Sequence, residues 1–286
     1  MSETKVVTVN LLAYLDQGEV GNDPYRVDRD GRPYVSVGDG GTVLGLRLGD
    51  NVFDHVGDHA APGACLVHPN DDAHHALAGL ACLGNRVTVR TGDAVGQVGV
   101  VLGKRGGGGR VIAVFPQEVL TRLRPGDQVA LASCGQGAAA PVAGITQMNV
   151  SPAALSLLGL NLPGDHLTAG VRAMLPSRLV GNGIGRPMAM WDVDLQVDAA
   201  TEVTRSLCLG DLVAISDLDA RTNAGYRRGF MSVGIVVHGA SPQPGHGPGV
   251  TIILSGPAER FSIRLEGDSH HGLSEERLLS LGKTGG

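Results

Sequence analysis

The sequence predicts a mainly-β protein with a few short helices, built as two barrel-like halves carrying Gly-rich hairpins. Three observations lead there. Short β-branched runs recur along 286 residues, at Lys5 to Val9, Val87 to Arg90, Val98 to Leu102, Val111 to Phe115, Gln128 to Ala132, Leu212 to Ser216, Ser232 to His238 and Val250 to Leu254. Gly-Asp, Gly-Gly and Pro-Gly turns punctuate them. Glycine reaches 44 residues, about 15% against the usual 7%, which implies many tight turns.

Helical patterns are sparse. They cover Asp72 to Leu83, Gln117 to Leu123, a short segment that Ser151 caps and Pro152 opens, and Glu275 to Leu281. From Arg264 the chain turns polar, through Asp268, His270 and His271, and its last residues are expected to fray.

A phrase recurs three times, Leu-x-Leu/Pro-Gly-Asp-x-Val, at Leu46 to Val52, Leu123 to Val129 and Leu207 to Val213. It reads as a turn feeding a strand: Gly supplies a positive φ and Asp accepts a hydrogen bond from the turn backbone. A second echo pairs Val98 to Gly103 with Val233 to His238. The echoes run in opposite order, so the reading is two halves of shared local grammar, 1–148 and 149–286, without a clean duplication.

Composition narrows the function classes. Lys and Arg number 23 against 28 Asp and Glu, for a net charge of −5, which disfavours a phosphate-backbone partner. Aromatics are 3%, too few for base-stacking platforms. No apolar run approaches the roughly 18 to 20 residues of a bilayer span, and no secretory h-region opens the chain, so a cytoplasmic protein is expected. Four dispersed cysteines, Cys65, Cys82, Cys134 and Cys208, read as reduced, mostly buried thiols. Cys134 is read as structural before it is read as a nucleophile.

The polar constellations carry the chemistry. His55 and His59 sit four apart with Asp54 and Asp58, a spacing that would bind metal on a helix, although Gly57 and Pro62 argue for a loop. Of these, Asp58 and His59 abut the Pro62-Gly63 turn. Two D-x-D phrases, Asp192-x-Asp194 and Asp217-x-Asp219, would place both carboxylates of each on one side of a strand. The second is favoured because it ends an apolar strand. His246 lies in Gly245-His246-Gly247-Pro248-Gly249, a closely approachable loop suited to a ligand or general base. Gly181-Asn182-Gly183-Ile184-Gly185 offers backbone donors without being a dinucleotide fingerprint. Gly92 to Phe115 looks like a KOW-type hairpin, in which Lys104, Arg105 and Arg110 flank Gly106 to Gly109 as anion donors.

These phrases together, with Leu80-Ala81-Cys82-x-Gly84-Asn85, Phe115-Pro116-x-Glu118-Val119-Leu120, Gly135-Gln136-Gly137, Gly210-Asp211-x-Val213 and Tyr226-Arg227-x-Gly229, resemble the domain of unknown function 4438 family over Tyr25 to Leu254. The resemblance implies a mainly-β, two-part cytoplasmic protein and brings no reaction with it.

The expectation is therefore an enzyme of hydrolase or lyase type acting on a small polar or anionic molecule in a cleft between the halves. His246, His59, Asp58 and Asp217 are the catalytic candidates. Arg227, Asn182, Gly183 and Gly185 would bind substrate, and His59, His246, Asp217 and Asp219 would hold a divalent metal. No nucleotide cofactor, nucleic acid or membrane is expected, and exposed strand edges suit a homo-oligomer. The alternative is a non-catalytic module that binds RNA or protein through the KOW-like barrel.

Overall fold

The computed structural model describes residues 6–20, 24–106, 109–160, 165–266 and 272–283. The expected polar break around Asp268, His270 and His271 and the terminal glycines lie outside them, as do Lys5, Gly107 and Gly108.

The first half contains β1 (Val9–Leu15), β2 (Arg26–Val27), β3 (Pro33–Tyr34), β4 (Thr42–Val43), β5 (Gly63–Val67), α1 (Asp71–Leu80), β6 (Arg86–Val89), β7 (Val98–Arg105), β8 (Arg110–Val114), α2 (Gln117–Leu120) and β9 (Gln128–Ser133). Strands pair in the order β1-β9-β6-β7-β8-β5, and β5 returns to β1, closing a six-stranded antiparallel barrel. The first strand begins later than the sequence suggested. Ala13 and Leu15 are its inward residues, whereas Val7, before it, is largely exposed and has no core to enter.

The second half contains α3 (Pro152–Leu157), β11 (Leu167–Val171), β12 (Ala173–Pro176), β13 (Val193–Asp194), β14 (Leu212–Asp219), β15 (Gly225–His238), β16 (Gly249–Pro257), β17 (Phe261–Leu265) and α4 (Glu275–Lys283), and β10 (Thr146–Gln147), just before the expected boundary at 148, joins its sheet by pairing with β16. Its main sheet runs β10-β16-β15-β14-β12, with β13 also on β16, and β11 pairs with β17. The helices cover four to ten residues each and fall where their signals predicted: Ser151 accepts the Ala154 N–H at the start of α3.

All three Gly-Asp phrases make the same turn. Gly49, Gly126 and Gly210 have positive φ, and Asp50, Asp127 and Asp211 each accept the N–H of the residue three before, at 2.8 to 2.9 Å. The recurrent phrase is turn chemistry.

The echoed strands β7 and β15 meet where the halves join. Strand alternation splits β7 and β8 between two cores: Val101, Val111 and Ala113 face the barrel interior, whereas Val100, Leu102, Ile112 and Val114 join the larger cluster built on Val233, Ile235 and Ile252. The Thr251 hydroxyl accepts from the Lys104 N–H at 2.9 Å and donates to the Lys104 carbonyl at 3.0 Å. Gly103 permits this approach, since a Cβ there would stand 2.6 Å from Thr251 Oγ1 and Val237.

The three cations expected to serve the Gly loop point inward. Lys104 is fully buried, donating to Asn149 Oδ1 at 2.7 Å and to the Ala189 carbonyl. Arg105 pairs with Asp39, and Arg110 with Asp16. The expected anion-binding loop surface therefore does not rest on them. Their partners lie inside because desolvated cations need them.

Two predictions follow from this packing. Gly63 opens β5 at φ 93°, and a Cβ there would stand 2.2 Å from the Ala113 carbonyl oxygen, which is backbone of the neighbouring barrel strand. Gly63→Ala should cost about 2 kcal/mol or more, seen as a lowered thermal unfolding midpoint; an unchanged midpoint would show that the barrel yields there. Burial pulls the Lys104 pKa from 10.5 down to about 7, with only the Cys82 charge opposing. The unfolded chain then binds more protons than the native one between those values, so stability rises with pH across that window. In urea titrations the stability of the wild type relative to Lys104→Met should climb from pH 7 to pH 10, and a flat difference would mean that Lys104 stays charged throughout.

Candidate functional site

A cavity of 260 Å³ opens at the junction, lined by Arg26, Asp39, His59, Arg105 and Gly106 from the first half and by Asn182, Asp192, Asp194, His238, Gln243 and His246 from the second. Strand ends and loops deliver these groups. Arg105 ends β7, His238 ends β15, Asp192 and Asp194 flank Val193 of β13, and His246 sits in the loop from β15 to β16.

His59 lies on no helix. It sits in a bend at φ 54°, a left-handed conformation that L-residues other than Asn, Asp and His rarely take. Its N–H donates to the Ala240 carbonyl of the other half at 3.2 Å. His55, its expected helical partner, lies 3.8 Å from Asp50 instead. Asp58, beside His59, is 1% exposed, and four groups donate to it: Ser241 Oγ at 2.6 Å, Ser36 Oγ at 2.8 Å, Arg26 Nη1 at 2.9 Å and Tyr34 at 3.1 Å. Burial would raise its pKa, but the adjacent His59 and the two serine hydroxyls hold it well below the usual carboxylate range.

The three imidazoles are oriented alike. Nδ1 of His59 lies 2.6 Å from Asp58 Oδ1, Nδ1 of His238 2.9 Å from the Gly239 carbonyl, and Nδ1 of His246 3.0 Å from the Pro244 carbonyl. The Nδ1 atoms of His238 and His246 hydrogen-bond those carbonyls, whereas the His59 Nδ1, close as it is to Asp58, is buried without a hydrogen-bond partner; all three Nε2 atoms turn to Asp194. His238 Nε2 stands 3.3 Å from Asp194 Oδ1, and His59 and His246 Nε2 stand 3.8 and 3.9 Å from Oδ2. The His59 ring meets each of the other two edge to face at 5.1 Å. Asn182 donates to Asp194 Oδ2 at 3.1 Å, while Asp194 Oδ1 is buried without a hydrogen-bond partner.

Asp192 completes the cluster, accepting from the Gly106 N–H at 2.6 Å and contacting His238 Nε2 at 2.9 Å. Burial opposes charge on His238, but its contacts with Asp192 and Asp194 outweigh this and push its pKa up to about 10. Two sets of ligand atoms come close enough to share a metal ion, His59, Asp194 and His246 in one and Asp192, Asp194 and His238 in another; Asp39, Asp58 and His59 make a third. A carbonyl or carboxylate on the far nitrogen of a ligating His is the usual outer shell of a metal site.

Among the groups singled out from the sequence, His59, His246, Asp58 and Asn182 meet here. Asp217, Asp219 and Arg227 do not line the cavity. Asp217 is an exposed residue at φ 57°, in a register shift between Ser216 and Leu218, and it accepts the Gly229 N–H at 2.9 Å. That bulge breaks the two-residue alternation expected to align it with Asp219. Asp219 instead binds Arg221 at 2.8 Å and Arg227 at 3.0 Å, and both guanidiniums lie over Phe230. The favoured D-x-D phrase is thus replaced in the cavity by the other one. Gly183 and Gly185 shape the Asn182 loop, whose Gly181, Asn182 and Gly185 N–H groups are spent on backbone carbonyls. Cys65 and Cys82 are buried thiols, each pushed up to about 11 chiefly by burial, and Cys134 lies outside the cavity. Sequence reasoning passed over His238, Asp39, Arg26 and Gln243. The ends of β15 and β16, flanked by Gly239 and Gly249, carried the available signal.

Among the described residues no helix is long and apolar enough to cross a membrane. No curated protein matches the chain. A solved structure titled "Crystal structure of TM1086" is similar at 31% identity, covering 93% of this chain and 95% of that one with a TM-score of 0.89. Two family models match in tandem: domain of unknown function (DUF4438), N-terminal, over residues 25–156, and its C-terminal counterpart over residues 158–270. The chain belongs to the DUF4438 family.

Proposed function

We propose that the cavity is the active site of a divalent-metal-assisted enzyme performing hydrolysis or elimination on a small anionic or polar molecule. The observation that carries this reading is the approach of two imidazole Nε2 atoms, from His59 and His246, to the same oxygen of buried Asp194, with the His246 Nδ1 hydrogen-bonded to the Pro244 carbonyl and the His59 Nδ1 2.6 Å from Asp58 Oδ1. Lone pairs turned toward a carboxylate repel it unless a cation lies between them. The separations of 3.8 and 3.9 Å slightly exceed the edge of about 3.3 Å expected from metal–ligand bonds of about 2.0 to 2.1 Å.

A metal there would polarise a substrate oxygen or lower the pKa of bound water. The chain supplies the rest. Asp58 lies beside His59, His246 reaches in from a loop that is still partly exposed, and Gln243 offers an amide to a polar group, while Arg26 at the mouth is held by Asp39 and Asp58. A volume of 260 Å³ lies below the roughly 300 to 1,000 Å³ of drug-sized pockets and suits a small molecule. The RNA- or protein-binding alternative loses its basic loop, because Lys104, Arg105 and Arg110 are buried against partners.

The test starts from chelator-stripped protein. Mn²⁺ and Zn²⁺ should bind in calorimetry, and His246→Gln should weaken that binding severely; equal affinity in both proteins would sink the metal reading. Asp58→Asn removes the charge beside His59 but also alters the acceptor of Ser36, Tyr34, Ser241 and Arg26, so it should cost about 10- to 100-fold in affinity, with the thermal unfolding midpoint measured alongside to separate lost positioning from lost stability. Metal-dependent turnover in a panel of small carboxylate and phosphate esters and hydroxy acids, lost in Asp194→Asn, would identify the substrate class.

A further inference from the structure

We infer that the cavity holds two divalent cations, with Asp194 bridging them: Oδ2 with His59 and His246 on one side, Oδ1 with His238 and Asp192 on the other. This rests on the metal reading above and extends it to a second site.

The two donor sets share only Asp194. The second set is the tighter: His238 Nε2 lies 2.9 Å from Asp192 Oδ2 and 3.3 Å from Asp194 Oδ1. Those distances bracket the roughly 3.0 to 3.3 Å between neighbouring ligands of an ion bound at about 2.1 Å. Asp194 is 2% exposed, and its Oδ1 is buried with no hydrogen-bond partner, so that one lone-pair set of a desolvated carboxylate is left for a cation. The outer shell is also in place. His238 Nδ1 is 2.9 Å from the Gly239 carbonyl, and Asp192 Oδ1 is fixed by the Gly106 N–H, leaving Oδ2 on the His238 side.

Charge points the same way. Four buried carboxylates, Asp39, Asp58, Asp192 and Asp194, face two guanidiniums, and those of Arg26 and Arg105 are engaged by Asp39 and Asp58. Asp192 and Asp194 have no guanidinium, and their partners are the Gly106 N–H, the Asn182 amide and the imidazoles. A carboxylate bridge sets two ions about 3.5 to 4 Å apart, the spacing at which a pair clamps both the attacking and the departing oxygen of a displacement. The substrate class this favours is a phosphate or carboxylate ester whose oxygens reach both ions.

The probe is Mn²⁺ added to the stripped full-length protein and followed by elemental analysis and electron paramagnetic resonance. Two Mn²⁺ per chain with an exchange-coupled spectrum are expected. Asp192→Asn and His246→Gln should each retain one ion with an isolated six-line signal, and Asp194→Asn should lose both. One uncoupled Mn²⁺ in the wild type, unchanged by Asp192→Asn, would overturn the second site and leave the first standing, with His238 then an ion-paired imidazolium. No bound Mn²⁺ would overturn both. The wild-type coupling does not depend on any variant folding.

Discussion

Burying carboxylates without letting them repel one another is the constraint around which the junction is built. Asp39, Asp58, Asp192 and Asp194 are each at most 5% exposed, and an unpaired ion at that depth is costly. Each is compensated by a different device. Asp39 has two guanidiniums, Asp58 has two serines, a tyrosine, Arg26 and His59, and Asp192 has a backbone N–H and His238. Of the four, Asp194 alone keeps an oxygen without a hydrogen bond, Oδ1, which His238 faces while His59 and His246 face Oδ2. Among the oxygens of these four carboxylates, Asp194 Oδ1 is the one left for a ligand to satisfy.

The halves depend on each other through this arrangement. Asp58 and His59 come from the first half, yet Ser241 and the Ala240 carbonyl that hold them come from the second. Asp192 belongs to the second half and is fixed by Gly106 of the first. Separating the halves would expose several buried charges at once, so the site also acts as a clamp. The strained φ of His59 persists on the same account: a residue in a sparsely populated backbone region stays there when its surroundings over-determine it.

Much of the fold was legible because its signals are local. Gly-Asp turns, the Ser151-Pro152 helix start and β-branched runs each act over a few residues, and they appear where expected except for the first strand, which starts at Val9. The site was legible only where local chemistry marked it. His246 between glycines and prolines and His59 beside Pro62-Gly63 stood out, but His238 looked like the last residue of an apolar strand, and nothing in a strand's periodicity says which other strand ends beside it. The two D-x-D phrases were indistinguishable by spacing. What separates them is a bulge at Asp217, which turns one carboxylate outward, and the pairing of Asp194 with Gly249, which lays the other phrase against β16. Arg105 and Lys104 show the same limit, since a basic run beside glycines reads as surface until the burial of its partners is known.

The glycine excess looks different once the site is in view. Turn geometry accounts for glycines with positive φ, but those around the cavity serve another purpose. Gly106 and Gly249 do not take that conformation. A Cβ on Gly249 would stand 1.9 Å from His238 Nε2 and 2.5 Å from Asp192 Oδ2, and one on Gly106 would stand 2.2 Å from Trp191 Nε1. Side chains at these two positions would push β16 and the end of β7 away from the Trp191-to-Asp194 segment, and the Gly106 hydrogen bond to Asp192 would lengthen. Close backbone approach is therefore what brings a barrel and an open sheet near enough for their acidic and basic residues to share one small cavity. A composition that reads as an abundance of turns is in part the condition for the site.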